Sequence, residues 1–348
     1  MSGRFADVCT RDFARHETFA VRFGWLRKAY DALTDGPAGA EVFLQPNAPV
    51  LLGVGKNMVN AIRYWTQAFK LTTEHRKDGG SRAMIARPTY RAYWLLDEAT
   101  GADPWLEDPA SLWLLHWWLL EDKCMAPAWW AAFHLTPGTT LAEHDLVRTL
   151  RTQVDLAGWD AVADTSLEKD ADVIAKMYAP RRANAGSPGS AEDLLDSPFR
   201  DLGLLTGSDV PRTWSFTTGA RPSLAPAVVL YAAAQFASRD NGPKKGDGAS
   251  TITITVTRLA GATGSPGRAF RIDEPRLVEM LDRACLDSPG AHMGEAAGQR
   301  TLHFTDDPLK VANTAVEAHF RRNSAAALTE AEWEAKFPAT PSVLKRSA

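Results

Sequence analysis

The sequence predicts an α+β protein, predominantly helical and multi-domain, with an amino-terminal winged-helix domain and a second, winged-helix-like unit further along. Three observations carry that expectation. The chain has 348 residues, too many for one ordinary core. Its amphipathic helical segments alternate with short strand-like runs. Within Leu52 to Leu71, L-G-V-G-K-N-M-V-N-A-I-R-Y-W-T-Q-A-F-K-L, a glycine-punctuated turn leads into a helix with one apolar stripe and a basic, amide-bearing leading edge.

The elements follow in order. Gly24 to Leu33 reads as a first amphipathic helix, stopped by Thr34, Asp35, Gly36 and Pro37. A short strand is expected at Glu41 to Leu44 and a brief helical turn at Asn47 to Leu52. Gly53 and Gly55 frame the next turn, and Lys56 to Phe69 is the second long helix. Met58, Ile62, Trp65 and Phe69 fall on one face of it, with Lys56, Asn57, Asn60, Arg63 and Gln67 around the start and flanks. Lys70 to Glu74 and Ala83 to Arg87 read as a hairpin whose polar tip, H-R-K-D-G-G-S-R, carries His75, Arg76, Lys77 and Arg82. Helix, strand, helix, turn, helix, strand, wing, strand is the winged-helix plan, and a basic helix start with a basic wing suits a DNA backbone. A structural helix-turn-helix that docks another protein is the plainer alternative.

Asp108 and Pro109 start an almost all-round apolar helix that belongs in the interior, with His116 a satisfied core histidine. Thr140 to Leu150 is expected to be a helix capped by Thr140, with Glu143 at capping-box spacing. Ser166 to Tyr178 is another helix, and Arg181 to Ala191 is a linker rich in Gly, Ser, Pro and Asn. S-P-F-R-D-L-G-L-L and T-W-S-F-T-T then repeat the winged outline with acidic decoration. The last third holds a helix at Leu224 to Ser238, a loop from Arg239 to Ala249, a strand over Thr251 to Thr257, a solvated G-A-T-G-S-P-G-R connection, a helix at Pro275 to Ala284 and a final strand at G-Q-R-T-L-H-F. The closing residues are expected to fray. These boundaries give three regions: 1–93, a basic winged-helix DNA-binding domain; 94–215, a helical domain with the second winged unit; and 216–348, an α/β region.

Charge is divided unevenly. Residues 1–93 hold 14 Lys and Arg against 8 Asp and Glu, net +6, while the remainder holds 25 against 34, net −9. Only the first part suits a polyanion. The three cysteines are far apart and odd in number, which excludes a disulfide framework or CxxC zinc site and fits a reducing cytoplasm. Neither a signal-peptide core nor an apolar run of membrane-spanning length is visible.

Catalytic motifs do not declare themselves. A phosphate loop is ruled out because Val50 stands where its first glycine would be and Asn57 replaces its Ser/Thr. The glycines can still let backbone amides approach a phosphate at a helix start. Asp170 with Asp172, and Glu192, Asp193, Asp196 and Asp201, could converge on a divalent metal, but a solvated acidic surface is the favoured reading. Arg15, His16 and Glu17, and Tyr30 with Asp31, read as ordinary surface groups.

The segments R-H-E-T-F (Arg15 to Phe19), F-G-W-L-R-K-A-Y-D-A-L (Phe23 to Leu33), Leu52 to Trp65, W-L-E-D-P-A-S-L-W-L-L-H-W (Trp105 to Trp117) and S-P-F-R-D-L-G-L-L (Ser197 to Leu205) together resemble the SspB-like family of bacterial DNA phosphorothioate modification systems. That resemblance covers most of the chain. It implies a cytoplasmic protein encoded beside PAPS-reductase-like sulfurtransferases and acting in antiviral defence. Such a protein nicks double-stranded DNA so that partners can replace a non-bridging phosphate oxygen with sulfur, and Mg²⁺ or another divalent metal is the expected cofactor, with no nucleotide or organic group. It carries over no catalytic residue. Beside it stand a non-catalytic adaptor that recruits sulfurtransferase and ATPase partners to DNA and, more weakly, a transcriptional regulator. The expected DNA contacts are Lys56, Asn57, Asn60, Arg63, Arg76, Lys77 and Arg82, with Asn57 or Asn60 reaching a base edge.

Overall fold

A computed structural model describes residues 5–36, 38–77, 81–180, 197–241, 252–296, 298–321 and 327–337. The chain divides into two compact units, one of Met1–Ala14 with Asp108–Arg321, the other of Arg15–Glu107 with Arg322–Ala348. The short helix α1 (Phe5–Val8) starts the first unit. It is followed by a parallel bridge between Cys9 and Cys124.

The second unit contains α2 (Trp25–Thr34), a 3-10 helix (Gly39–Leu44), α3 (Ala48–Leu52), α4 (Lys56–Ala68), the antiparallel hairpin β1 (Thr72–Arg76) and β2 (Met84–Pro88), and α5 (Tyr90–Leu96). Leu33, Val42, Ala48, Leu52, Val59 and Ala86 form one apolar cluster there. The strand expected at Glu41–Leu44 is instead the 3-10 helix. A strand would turn alternate side chains inward, whereas only Val42 of this stretch is buried and Leu44 is 36% exposed. The winged order therefore lacks its first strand in this unit, although the 3-10 helix packs against β2 in the corresponding place.

In the first unit, α6 (Pro109–Leu120) is buried on all sides from Ala110 onward, as an apolar helix without an amphipathic stripe must be. Asp108 caps it through its carboxylate to the Ala110 amide. After α7 (Pro127–His134) come β3 (Thr140–Ala142), α8 (Glu143–Leu156), α9 (Asp164–Tyr178), a 3-10 turn (Pro198–Leu202), β4 (Leu205–Gly207) and β5 (Thr213–Phe216). Thr140 is thus a strand residue paired with Ser215 and not a helix cap. Its partner strand lies far along the chain, beyond the reach of a local motif. The linker expected over Arg181 to Ala191 lies outside the described residues, as do Glu192, Asp193 and Asp196.

A second series follows: α10 (Pro226–Asn241), β6 (Ile252–Thr255), α11 (Val256–Gly261), α12 (Pro266–Phe270), α13 (Glu274–Leu286), β7 (Ala291–Ala296), β8 (Gln299–Phe304) and α14 (Pro308–Phe320). The expected strand over Thr251–Thr257 ends early because the Thr255 side chain caps α11. The G-A-T-G-S-P-G-R stretch is not a solvated connection. Ser265 caps α12, Pro266 takes its first turn, and a Cβ on Gly267 would stand 2.5 Å from Ala260 Cα, so only glycine permits this close packing. Both three-stranded sheets share one antiparallel order, β3-β5-β4 and β6-β8-β7, with the first strand beside the last.

Three arginines join the two series without a carboxylate partner among the described residues. Arg268 donates to the carbonyls of His134 and Gly261, and Arg271 to those of Ala132 and Gly138. Arg221, 5% exposed, donates to the carbonyls of Phe270, Gly203 and Thr217. Carbonyls at the ends of helices and turns thereby solvate these charges, of which Arg221 is buried and Arg268 and Arg271 are half-buried. Burial holds Arg221 down to about 10 and Arg271 down to about 9.

The second unit is completed by α15 (Glu330–Lys336), whose Thr329–Glu332 capping box sets its start. Trp333 stacks on Tyr93 at 4.5 Å and donates its indole N–H to Pro88 O at 3.2 Å.

His116 lies in the core as expected. Its Nε2 is 2.9 Å from Ala269 O and its Nδ1 2.8 Å from Tyr178 Oη, so Nε2 carries the proton and Nδ1 accepts. Burial lowers its pKa to about 4, and burial likewise lowers that of His134 well below the usual range. Both bind protons more weakly folded than unfolded, so their contribution to stability is complete above about pH 6.5 and falls as pH drops toward 4. We expect the melting temperature to fall between pH 7 and pH 5 in scanning calorimetry. A melting temperature that rose over that interval would contradict neutral histidines in this core.

Candidate nucleic-acid interface

The helix α4 is oriented by what it buries. Ile62, Trp65, Ala68 and the following Phe69 are fully covered, and the Trp65 indole donates to Phe19 O at 3.0 Å. His16 stacks on Trp65 at 6.1 Å and is 1% exposed. The sequence places His16 and Tyr30 among surface groups, yet both are buried, since an aromatic ring beside a large apolar neighbour gains more from contact than from water. Tyr30 donates to Asp97, and its phenol pKa is raised far above its normal range by burial and then by that carboxylate.

The remaining edge of α4 faces solvent. Gly53 closes α3 in the left-handed region, φ 61°, and extended Gly55 begins α4 without a side-chain cap. Lys56, Asn57 and Asn60 are exposed within the first turns. Lys56 and Asn57 make no side-chain hydrogen bond or ion pair with a described residue, while Asn60 donates to Glu17 at 3.3 Å. Lys28 sits behind the turn, with Nζ 3.4 Å from Leu52 O. Amides at a helix start beside cationic side chains form a surface suited to an anion.

Arg63 is placed differently from its neighbours. Its Nε bonds to Glu74 of β1 and its NH2 group to Met84 O at 3.2 Å, and Gln67 reaches the same Glu74 at 2.9 Å. This is a brace between helix and hairpin. Lys77 is tied to Glu41 at 2.8 Å, whereas Arg76 and Arg82 are exposed on either side of the tip with no partner among the described residues. Asp78, Gly79 and Gly80 at the tip lie outside the described residues. The alternation of T-T-E-H-R puts Thr73 and His75 on the hairpin face opposite Glu74, with Arg87 paired across from Thr73. Period two was the signal for this trio, and the basic-wing reading names only His75 of it.

Of the acidic groups, Asp170 is buried and accepts the Ala14 amide at 2.8 Å, and Asp172 pairs with Lys176 at 2.7 Å. Among the described residues, no three His, Cys, Asp or Glu side chains converge in a metal-ligand set. No described helix is long and apolar enough to cross a membrane.

Against known proteins, residues 13–320 match the family model described as a protein of unknown function, DUF4007, and the chain belongs to that family. It is also similar to two solved structures, and is SspB-like. One, described as "SspB crystal structure", is 42% identical with a TM-score of 0.87, covering 97% of this chain and 96% of its own. The other, described as "Magnesium ion-bound SspB crystal structure", is 42% identical with a TM-score of 0.86 over the same shares. Curated proteins yield no match.

Because Arg63 and Glu74 are each only about a quarter exposed, Arg63→Ala is expected to cost about 1 kcal/mol and to speed hydrogen exchange at the β1 and β2 amides. Unchanged exchange in the hairpin would show that the brace does not hold it.

Proposed function

We propose that this chain is a DNA-binding nicking endonuclease of a bacterial DNA phosphorothioate modification and antiviral system, with residues 1–93 as its DNA-facing part. The observation that carries the reading is the uncapped start of α4, where Lys56 and Asn57 stand exposed without competing partners among the described residues, in a chain 42% identical to SspB over 97% of its length. The topology supports a winged-helix reading of each of the three helix-and-hairpin series. Their third helices differ in charge. In α9 the exposed positions include Asp164 and Glu168, and in α13 Glu279 and Asp282 are exposed. Both faces are more acidic than the start of α4, although Asp164, Glu279 and Asp282 are paired with Arg151, Arg276 and Arg300, so DNA is assigned to the first series and protein partners, including a PAPS-reductase-like sulfurtransferase, to the other two.

Within this reading Lys56, Arg76 and Arg82 hold backbone phosphates, Asn57 or Asn60 reaches a base edge, and Arg63 and Lys77 chiefly position helix and wing. Nicking is proposed to depend on a divalent metal, in line with the magnesium-bound relative. The described residues form no ready ligand set of three or more His, Cys, Asp or Glu side chains. A cytoplasmic location is part of the same proposal.

Incubation with supercoiled plasmid and Mg²⁺ is expected to give open circles, and EDTA to prevent it. Plasmid that stays closed with every divalent metal would leave the recruiting adaptor. Replacing Lys56, Arg76 and Arg82 together by Ala should lower the slope of log K against log salt by about 2–3. A triple variant that binds plasmid like the wild type across a salt series would show that the assigned surface is wrong.

A further inference from the structure

On the face of the β1–β2 hairpin that carries Thr73 and His75, three side chains of complementary chemistry lie close together outside the surface assigned above. His75 Nε2 lies 2.9 Å from Thr73 Oγ1. Arg87, paired with Thr73 across the hairpin, stands close enough to act on the imidazole electrostatically, and its Nε is buried with no hydrogen-bond partner. No carboxylate among the described residues pairs with Arg87. A guanidinium with no partner among the described residues, beside an imidazole already held by a hydroxyl, combines a cation suited to phosphate with a base.

We propose that His75, oriented by Thr73 and flanked by Arg87, is the proton acceptor of the phosphodiester cleavage assigned to this chain. Thr73 Oγ1 holds the ring at Nε2 and leaves Nδ1 without a partner among the described residues. With Nε2 donating to the hydroxyl, Nδ1 has the lone pair. Arg87 anchors the non-bridging oxygens of the scissile phosphate. A water oxygen bonds to phosphorus while the bond from phosphorus to one bridging oxygen breaks. The proton of that water passes to Nδ1, and the imidazolium returns it to the departing alkoxide. Burial, and secondarily Arg87, lowers the His75 pKa, which keeps the ring neutral and able to accept at neutral pH.

This inference rests on the nickase reading, and single-turnover nicking of supercoiled plasmid under saturating protein, with plasmid affinity measured in parallel, separates the two. His75→Gln is expected to slow nicking by about 10²–10⁴-fold while plasmid affinity changes less than about threefold. Thr73→Val, which keeps the size of the side chain, is expected to slow it by about tenfold. Arg87→Lys should retain more activity than Arg87→Ala. Wild-type protein that nicks with His75→Gln nicking equally fast overturns the inference and leaves the nickase reading standing. A parallel loss of affinity and rate in His75→Gln overturns it too, because the ring would then only bind. Should His75→Gln fail to fold, Thr73→Val at wild-type rate is the overturning result. Wild-type protein that never nicks removes both.

Discussion

The candidate interface depends on the complete burial of Trp65. An indole with no exposed surface, its N–H satisfied by Phe19 O, fixes the rotation of α4 about its axis. Once Ile62, Trp65 and Phe69 face inward, the period of the helix leaves Lys56, Asn57 and Asn60 on the open side. The basic edge is a by-product of the apolar stripe. Arg63 and Gln67 lie between these two faces and meet Glu74, so the same rotation also sets where the hairpin stands.

Much of this was legible in the order of residues. The α4 stripe, the hairpin around the two glycines and the wholly buried α6 follow from periodicity and turn chemistry, and each is found close to its expected bounds. What escaped were features decided by distant partners. The Thr140–Ala142 strand exists because Thr213–Phe216 lies beside it, and α12 exists because Gly267 can touch Ala260. The site divides along the same line. Exposure of Lys56 and Asn57 is a local consequence of the stripe, whereas the diversion of Arg63 and Lys77 into ion pairs needs Glu74 and Glu41, which no spacing rule connects to them.

The first unit shows a second way of settling charge in an interior. Arg221, Arg268 and Arg271 meet carbonyl oxygens, and Arg271 also lies 3.5 Å above the Phe216 ring. A planar cation with five donors suits this, because leftover carbonyls at several helix ends can share one guanidinium. The arginines draw together the ends of α7 and α12 and the turn before β4, and so link the two helix-and-hairpin series that share a strand order.

The position of α15 has a consequence for how this molecule is made. Its Trp333 fills the space beside Tyr93 and Pro88, so the unit that begins at Arg15 is assembled from two separate stretches of the polypeptide, with Asp108–Arg321 of the larger unit intervening in sequence. During synthesis on a ribosome, the intervening unit has all its segments before the basic one receives its closing helix. The unit proposed to grip DNA therefore lacks its closing helix until every segment of the intervening unit has been made.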